Sequence, residues 1–422
     1  MAKLSSKWLA LAGLLSLGAT SLFAQDNKAL IDLLIKKGVL TDAEAAKVAA
    51  EVAKANAGDD VATNASDKFL KKLTLSGRIQ IQFADLGTNI NGAAAQPVST
   101  EHFLMRRVYF GFKADFGNGW TGVINYDLAN ASFDLGYIEW KQSDALFVDT
   151  GFRRVPIGLE EWGTSSANLR AIERSPATRY FVESNNGRRL GAGAYRIGVF
   201  AGGADSGFTY NFAVTNSERD EFSSLNGNSD PGVQGSGTAS NNTPSLWGNV
   251  GYGDKFPGGT YKVGASAGYL PDQGGPGSVV GQGNGITVYN LYGVWTLGGF
   301  DLEGEYFWAD DHHGASATTD ARPSAYWIQP AYRVGDWEAV VRYSYVDSDG
   351  RGVNISDGTR SAPSGGTMNK MSEWFIGGNW YIKSNDVKLQ LGYIHSESKD
   401  TVTGGSASAK ADGVRSQMQV SF

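Results

Sequence analysis

From Leu73 to the end of the chain, apolar and polar positions alternate with a period of two. Leu73, Leu75, Gly77, Ile79, Ile81 and Phe83 share one face, and Thr74, Ser76, Arg78, Gln80 and Gln82 share the other. Such alternation is the signature of a strand with one apolar side. It recurs with Val108, Phe110, Phe112, Ala114 and Phe116 opposite Arg107, Tyr109, Lys113 and Asp115. It recurs again with Trp120, Ile124 and Tyr126 opposite Thr121, Asn125 and Asp127. Sixteen such segments can be counted, each near the roughly 9–11 residues that cross a membrane at a tilt. The pattern predicts an all-β fold, a 16-stranded antiparallel transmembrane β-barrel over residues 73–422.

The connections support that reading. Short turns such as Gly117-Asn118-Gly119, Ser143-Asp144 and Gly298-Gly299 alternate with outer connections that are long and polar at Ala84–Glu101, Arg154–Arg188, Asn216–Pro244, Pro271–Gly285, Asp310–Pro323, Asp347–Lys370 and Ser396–Gly413. The second outer connection, Ala129–Ser132, is the short exception. Bacterial outer-membrane barrels keep short periplasmic turns and longer outer loops. Trp120, Trp140, Tyr269, Trp308, Trp337 and Tyr393 fall near strand ends, where an interfacial aromatic girdle sits. The last strand ends on Phe422, and a terminal aromatic on an amphipathic strand resembles the signal read by the barrel-assembly machinery.

The first 72 residues follow another pattern. Residues 1–24 read as a secretory signal: Lys3 and Lys7, the apolar run Leu9–Leu17, and a small-residue cleavage region at Ser21–Ala24. Residues 25–55 have helical spacing, with Thr41 and Glu44 in a capping-box pattern, and residues 56–72 form a polar linker. The helical pair is expected to act as a spacer or oligomerisation element. A signal sequence followed by a barrel predicts the Gram-negative outer membrane.

Charge changes the picture. The chain carries −6, and loss of the signal's two lysines makes it −8, which argues against nucleic-acid binding. Yet Gly151–Arg196 holds eight arginines, no lysine and four acids. Arginine is always charged and offers a rigid fork of donors to oxyanions. Alternation places Arg78, Arg107, Lys113, Arg153, Arg196, Lys262 and Arg342 toward the lumen. In the loop, Arg154, Arg170, Arg174, Arg179, Arg188 and Arg189 are candidates for a cationic constriction, since only Glu173 and Glu183 lie between residues 165 and 190. These eleven arginines (the lysines set aside) are the candidate anion-binding lining.

Other chemistry is weaker. Asp310-Asp311-His312-His313 lacks metal-ligand spacing, and Asn226–Asp230 lacks the calcium-loop glutamate. His395, Ser396 and Glu397 are adjacent in sequence, which is not triad geometry. No cofactor, metal or enzymatic activity is expected.

The chain resembles the phosphate-selective porin O/P family. The resemblance rests on the first strand Leu73–Gln80, on Gly151–Glu160, on Glu173-Arg174-Ser175 with Gly187–Gly191, and on Gly378–Ile382 with Val387–His395. It implies a homotrimeric anion channel in outer-membrane lipid, with Arg154–Arg188 as the third outer loop folded into the lumen. In phosphate-specific members a lysine-rich site draws on the fifth outer loop. Here that loop, Pro271–Gly285, has no lysine or arginine and carries Asp272. Small anions are the expected cargo, and a general or sugar-type diffusion porin is the alternative.

Overall fold

The structure is a computed structural model and describes residues 69–91, 98–183, 188–216, 244–271, 285–316, 318–402 and 407–422. The signal sequence, the helical segment, most of the linker, Asn226–Asp230 and most of Pro271–Gly285 lie outside the described residues.

Alternation has produced the expected wall. The strands run β1 (Lys72–Asn91), β2 (Val98–Gly117), β3 (Trp120–Asp127), β4 (Ser132–Ser143), β5 (Leu146–Arg154), β6 (Tyr195–Asp205), β7 (Phe208–Thr215), β8 (Ser245–Phe256) and β9 (Gly259–Leu270). They continue with β10 (Ile286–Leu297), β11 (Phe300–Ser316), β13 (Ser324–Val334), β14 (Trp337–Asp347), β16 (Thr367–Asn385), β17 (Val387–Thr401) and β18 (Ser408–Ser421). Between them, β12 (Thr319–Ala321) and β15 (Val353–Asn354) are short ladders in outer loops, leaving sixteen strands in the wall. Neighbours pair antiparallel, and β1 pairs with β18 to close the barrel.

The closing seam is built from the two ends of the pattern. Gly77 N donates to Phe422 O at 2.8 Å, and Phe422 N donates to Gly77 O at 3.0 Å. A Cβ on Gly77 would stand 2.3 Å from the Phe422 ring, so the terminal aromatic lies where only a glycine leaves room. The outer surface carries two aromatic belts. Trp120–Trp140 and Trp337–Trp380 pair near the short turns, with centroids 6.4 and 5.3 Å apart. Tyr289–Trp308 and Tyr343–Trp374 pair near the long loops, at 5.2 and 4.7 Å. The rings of such belts sit at headgroup level.

Several expected loops are partly strand. β1 and β2 run 20 residues each, taking up most of Ala84–Glu101, and β11, β17 and β18 likewise extend into their loops. Apolar alternation marks only the lipid-facing band. Above it the outward side chain is Asp85, while the inward Ala84, Leu86 and Thr88 are buried. The hydrogen-bonded ladder continues past the point where the hydrophobic signal reverses.

Candidate functional site: an arginine-lined channel

The third outer loop leaves the wall after Arg154, at the end of β5, a strand in which Gly151 has a φ of +142° and a Cβ there would stand 2.3 Å from Gly136 O. A π-helical turn (Gly158–Gly163) follows, then α1 (Pro176–Phe181), with Ser175 Oγ capping Thr178 N at 3.1 Å and Pro176 in the first turn. Tyr180, Phe181 and Val182 are buried with Ile157 and Ile172, and Phe181 stacks on Phe307 of β11 at 5.3 Å. The loop thus buries its apolar residues on the inside of the barrel.

Polar wall residues hold its backbone. Glu305 accepts from Leu159 N, from Trp327 Nε1 at 2.8 Å and from Thr178 Oγ1 at 3.2 Å. Lys388 Nζ donates to Leu169 O at 2.9 Å, Gln390 Nε2 to the same oxygen at 3.0 Å, and Gln80 Nε2 to Ser166 O at 3.1 Å. The loop therefore leans on β11–β18 and β1, and open space remains along β2–β6.

That space holds two adjoining cavities. One of about 410 Å³ lies toward the outer loops and is lined by Arg106, Arg107, Arg154, Arg174, Arg189 and Arg360, with Asp127, Asp134, Glu161 and Glu183. The other, of about 310 Å³, adds Arg78 and Arg153 but no new carboxylate, and shares Tyr109, Asp134 and Arg154 with the first. Eight arginines face four carboxylates along this path.

Of the eleven predicted arginines, Arg78, Arg107, Arg153, Arg154, Arg174 and Arg189 line it. Arg78 NH1 and NH2 donate to Ser166 Oγ and Ser165 Oγ at 2.6 and 3.2 Å, and Arg107 NH1 to Gln80 Oε1 at 2.8 Å. Neither has a salt-bridge partner among the described residues. Arg153 pairs with Asp149, and Arg174 with Glu161. Arg154 Nε lies 3.4 Å from Glu161 and donates to Tyr195 OH at 2.6 Å.

The other five are placed elsewhere. Arg170 meets Asp301 at 3.0 Å, Glu338 at 3.1 Å, and Glu303. Arg342 is buried between Glu160 and Glu373, each at 3.1 Å. Arg179 pairs with Glu183 at 3.1 Å and Arg188 with Asp357 at 2.7 Å, while Arg196 is buried and donates to Gly191 O at 3.1 Å. The count of two acids against the five arginines between residues 165 and 190 needs correction. It took in only acids close in sequence, whereas the fold brings Asp301, Glu303, Glu338 and Asp357 from the wall and the seventh outer loop.

Two lining arginines were not foreseen. Arg106 lies beside Arg107, and alternation assigns neighbours to opposite faces. Outward residues are Phe103 and Met105 but then Phe110, so the phase changes between them and both arginines turn inward, as at a bulge. The three-residue step from Met105 to Val108 in the apolar pattern is the signal. Arg360 comes from the seventh outer loop and meets Glu173 at 3.2 Å and Glu183 at 3.3 Å; no local pattern marks it.

Glu183 in the lining of the upper cavity and the buried Glu173 are the hubs of its arginines. Arg106 reaches Glu173 at 2.5 Å, while Arg179 and Arg189 reach Glu183 at 3.1 and 2.8 Å. Burial alone would raise both carboxyls. The surrounding guanidiniums, Arg106 and Arg360 on one and Arg179 and Arg360 on the other, outweigh it and hold both well below the usual range. Four arginines share two carboxylates, so the cluster stays cationic.

Strand alternation also separates His395 from Ser396. His395 Nδ1 meets Asp412 at 2.6 Å on the outer face, while Ser396 is buried inside and donates to Glu373 at 3.2 Å.

Comparison with known proteins agrees with this architecture. The anion-selective porin of Comamonas acidovorans superposes with a TM-score of 0.54 at 14% identity, over 83% of this chain and 99% of its own. The channel DcaP of Acinetobacter baumannii gives 0.52 at 13% identity, over 83% and 97%. Porin O of Pseudomonas aeruginosa is 24% identical over 160 residues, covering 32% of this chain and 35% of its own length, so the match spans about a third of that relative. The family described as phosphate-selective porin O and P matches residues 73–422. The chain is a β-barrel porin of the Gram-negative outer membrane and belongs to that family.

Proposed function

We propose that this porin passes small anions passively along the open side of its lumen. The observation that carries the reading is the channel lining, in which eight arginines face four carboxylates. Arg78 and Arg107 there spend their donors on neutral hydroxyl and amide oxygens. A cationic excess in a narrow, water-filled passage raises the local anion concentration and repels cations. Several weakly engaged arginines in series also allow release, which conduction requires. Inorganic phosphate falls within this range of cargo, but the fifth outer loop has no lysine or arginine to tighten its hold. The homotrimer implied by the family resemblance belongs to the same reading, as do delivery by the signal sequence and assembly through the exposed Phe422.

The test is the reversal potential of single channels in a planar bilayer under a KCl gradient. An anion-selective potential is expected. A cation-selective or zero potential would mean that acids neutralise the lining, and would leave a general diffusion porin.

A further inference from the structure

Tyrosine rings lie against the arginines of the lower cavity, Tyr109 being shared with the upper cavity and Tyr195 lining only the upper one. Arg78 lies over the Tyr109 ring at 5.4 Å, Arg153 over Tyr137 at 4.5 Å, and Arg154 over Tyr195 at 4.8 Å. A guanidinium over a ring has that face covered, and its in-plane N–H donors point past the ring edge. Tyr137, Trp162 and Leu135 complete the cavity beside these arginines. Leu135 shares the inner face with Tyr137 by strand alternation, and the β3–β4 register shift, in which Asn125 and Tyr126 pair with Leu135 and Phe133 and leave Asp134 unmatched, brings Asp134 into the cavity as well. The oxygens of Asp134 are taken up by Asn125 Nδ2 at 2.8 Å and by Tyr195 OH.

Such a lining is poorly suited to a bare tetrahedral oxyanion. Phosphate is hydrated on all sides and would lose water against Trp162, Tyr137 and Leu135 without replacement. A planar ring bearing one carboxylate would place its face on those side chains. Its carboxylate would take the donors of Arg78, which now engage only the Ser165 and Ser166 hydroxyls while Nε is buried without a partner. A charge-assisted bond of that kind is about twice as strong as one to a neutral acceptor. The volume of about 310 Å³ is at the lower end of small-ligand sites.

We propose that the lower cavity is a subsite for small aromatic carboxylates, which the channel favours over inorganic phosphate and short aliphatic acids. This rests on the anion-channel reading above. The test uses the full-length porin in planar bilayers, with chloride current titrated by benzoate, cyclohexanecarboxylate, acetate and phosphate. Benzoate is expected to reduce the current at a concentration about tenfold below acetate and phosphate. Cyclohexanecarboxylate controls for plain hydrophobic partitioning and should fall between them. Trp162→Ala should remove most of benzoate's advantage over acetate, and Trp162→Phe should retain it. Equal action of benzoate and acetate on an anion-selective channel would overturn the subsite while leaving the anion reading intact. An advantage that persists in Trp162→Ala would overturn the assigned location. A wild-type channel that is not anion-selective under KCl alone would instead defeat the reading beneath both.

Discussion

The two sides of the lumen use the same residue for opposite ends. On the side filled by the third outer loop, arginines are matched: buried Arg342 by Glu160 and Glu373, buried Arg351 by Asp311, and the partly buried Arg170 by three carboxylates. On the open side, Arg78 and Arg107 reach only neutral acceptors, and Arg106, Arg189 and Arg360 share two glutamates with Arg179, which lies off the path. A matched guanidinium braces the wall and adds little field. An under-matched one beside water is a source of positive potential. The role of each arginine is thus decided by its partners and cannot be read from its identity or its face.

The sharpest way to break this contrast is to delete one cation from each side. Arg342→Ala strands two buried carboxylates, and loss of one member of such a buried set costs about 3–5 kcal/mol. It should lower the unfolding midpoint in detergent and urea by a larger margin than any single lining variant. Arg107→Ala removes a partner only from Gln80, a loss of roughly 1–3 kcal/mol. Equal destabilisation by the two would erase the distinction between brace and lining.

Glu305 tests whether the loop is held by the wall. Glu305→Ala leaves Leu159 N, Trp327 Nε1 and Thr178 Oγ1 without their acceptor, at about 1–3 kcal/mol for each donor left buried. The loop should then detach part of the time, seen as larger and noisier single-channel conductance with the barrel still assembled. Conductance traces identical to wild type would show that the apolar contact of Phe181 with Phe307 suffices.

A smaller and more specific effect is expected on the open side. Arg78→Gln with Arg107→Gln halves the excess of four cations, and the anion-to-cation permeability ratio should fall by roughly two- to threefold. The matching pair Arg170→Gln with Arg188→Gln should leave the ratio near wild type. If the second pair moved it as far as the first, charge matching would not decide selectivity.

These outcomes bear on what could be read from the chain. The wall was legible because alternation is local: Ile79 and Ile81 face outward and Gln80 and Gln82 are buried, as their spacing requires. The third loop was legible from its arginine density. The pairing within it was not, because Arg170 finds Asp301, Glu303 and Glu338 across more than a hundred residues. Arg106 was hidden by applying strict alternation across a phase change, although Met105 and Val108 mark the step. Arg360 arrives from a loop whose composition gives no sign of where it will be carried. Local patterning reports which face a side chain takes, and only the closed fold reports which charges meet there.

The smallest expected effect is a null one, and it isolates the two hub carboxylates. Glu173 and Glu183 are both held well below the ordinary carboxyl range, burial being outweighed by their arginines. A depressed pKa means that the stabilisation is present above the unfolded value of about 4.3 and is lost only as pH falls through the lower folded value. Both glutamates therefore stay ionised from pH 7 down to about 4.5, and their share of the lining charge stays fixed. Glu183→Gln removes one negative charge outright, so its reversal potential should be more anion-selective than wild type. The gap between variant and wild type should be the same at pH 7 and at pH 4.5. If Glu183 instead had an ordinary pKa, wild type would begin to converge on the variant as the pH fell, since protonation and the glutamine substitution have the same electrostatic result. Convergence would show that Arg179, Arg189 and Arg360 do not act on Glu183 together, and the over-crowded half of the comparison would be lost.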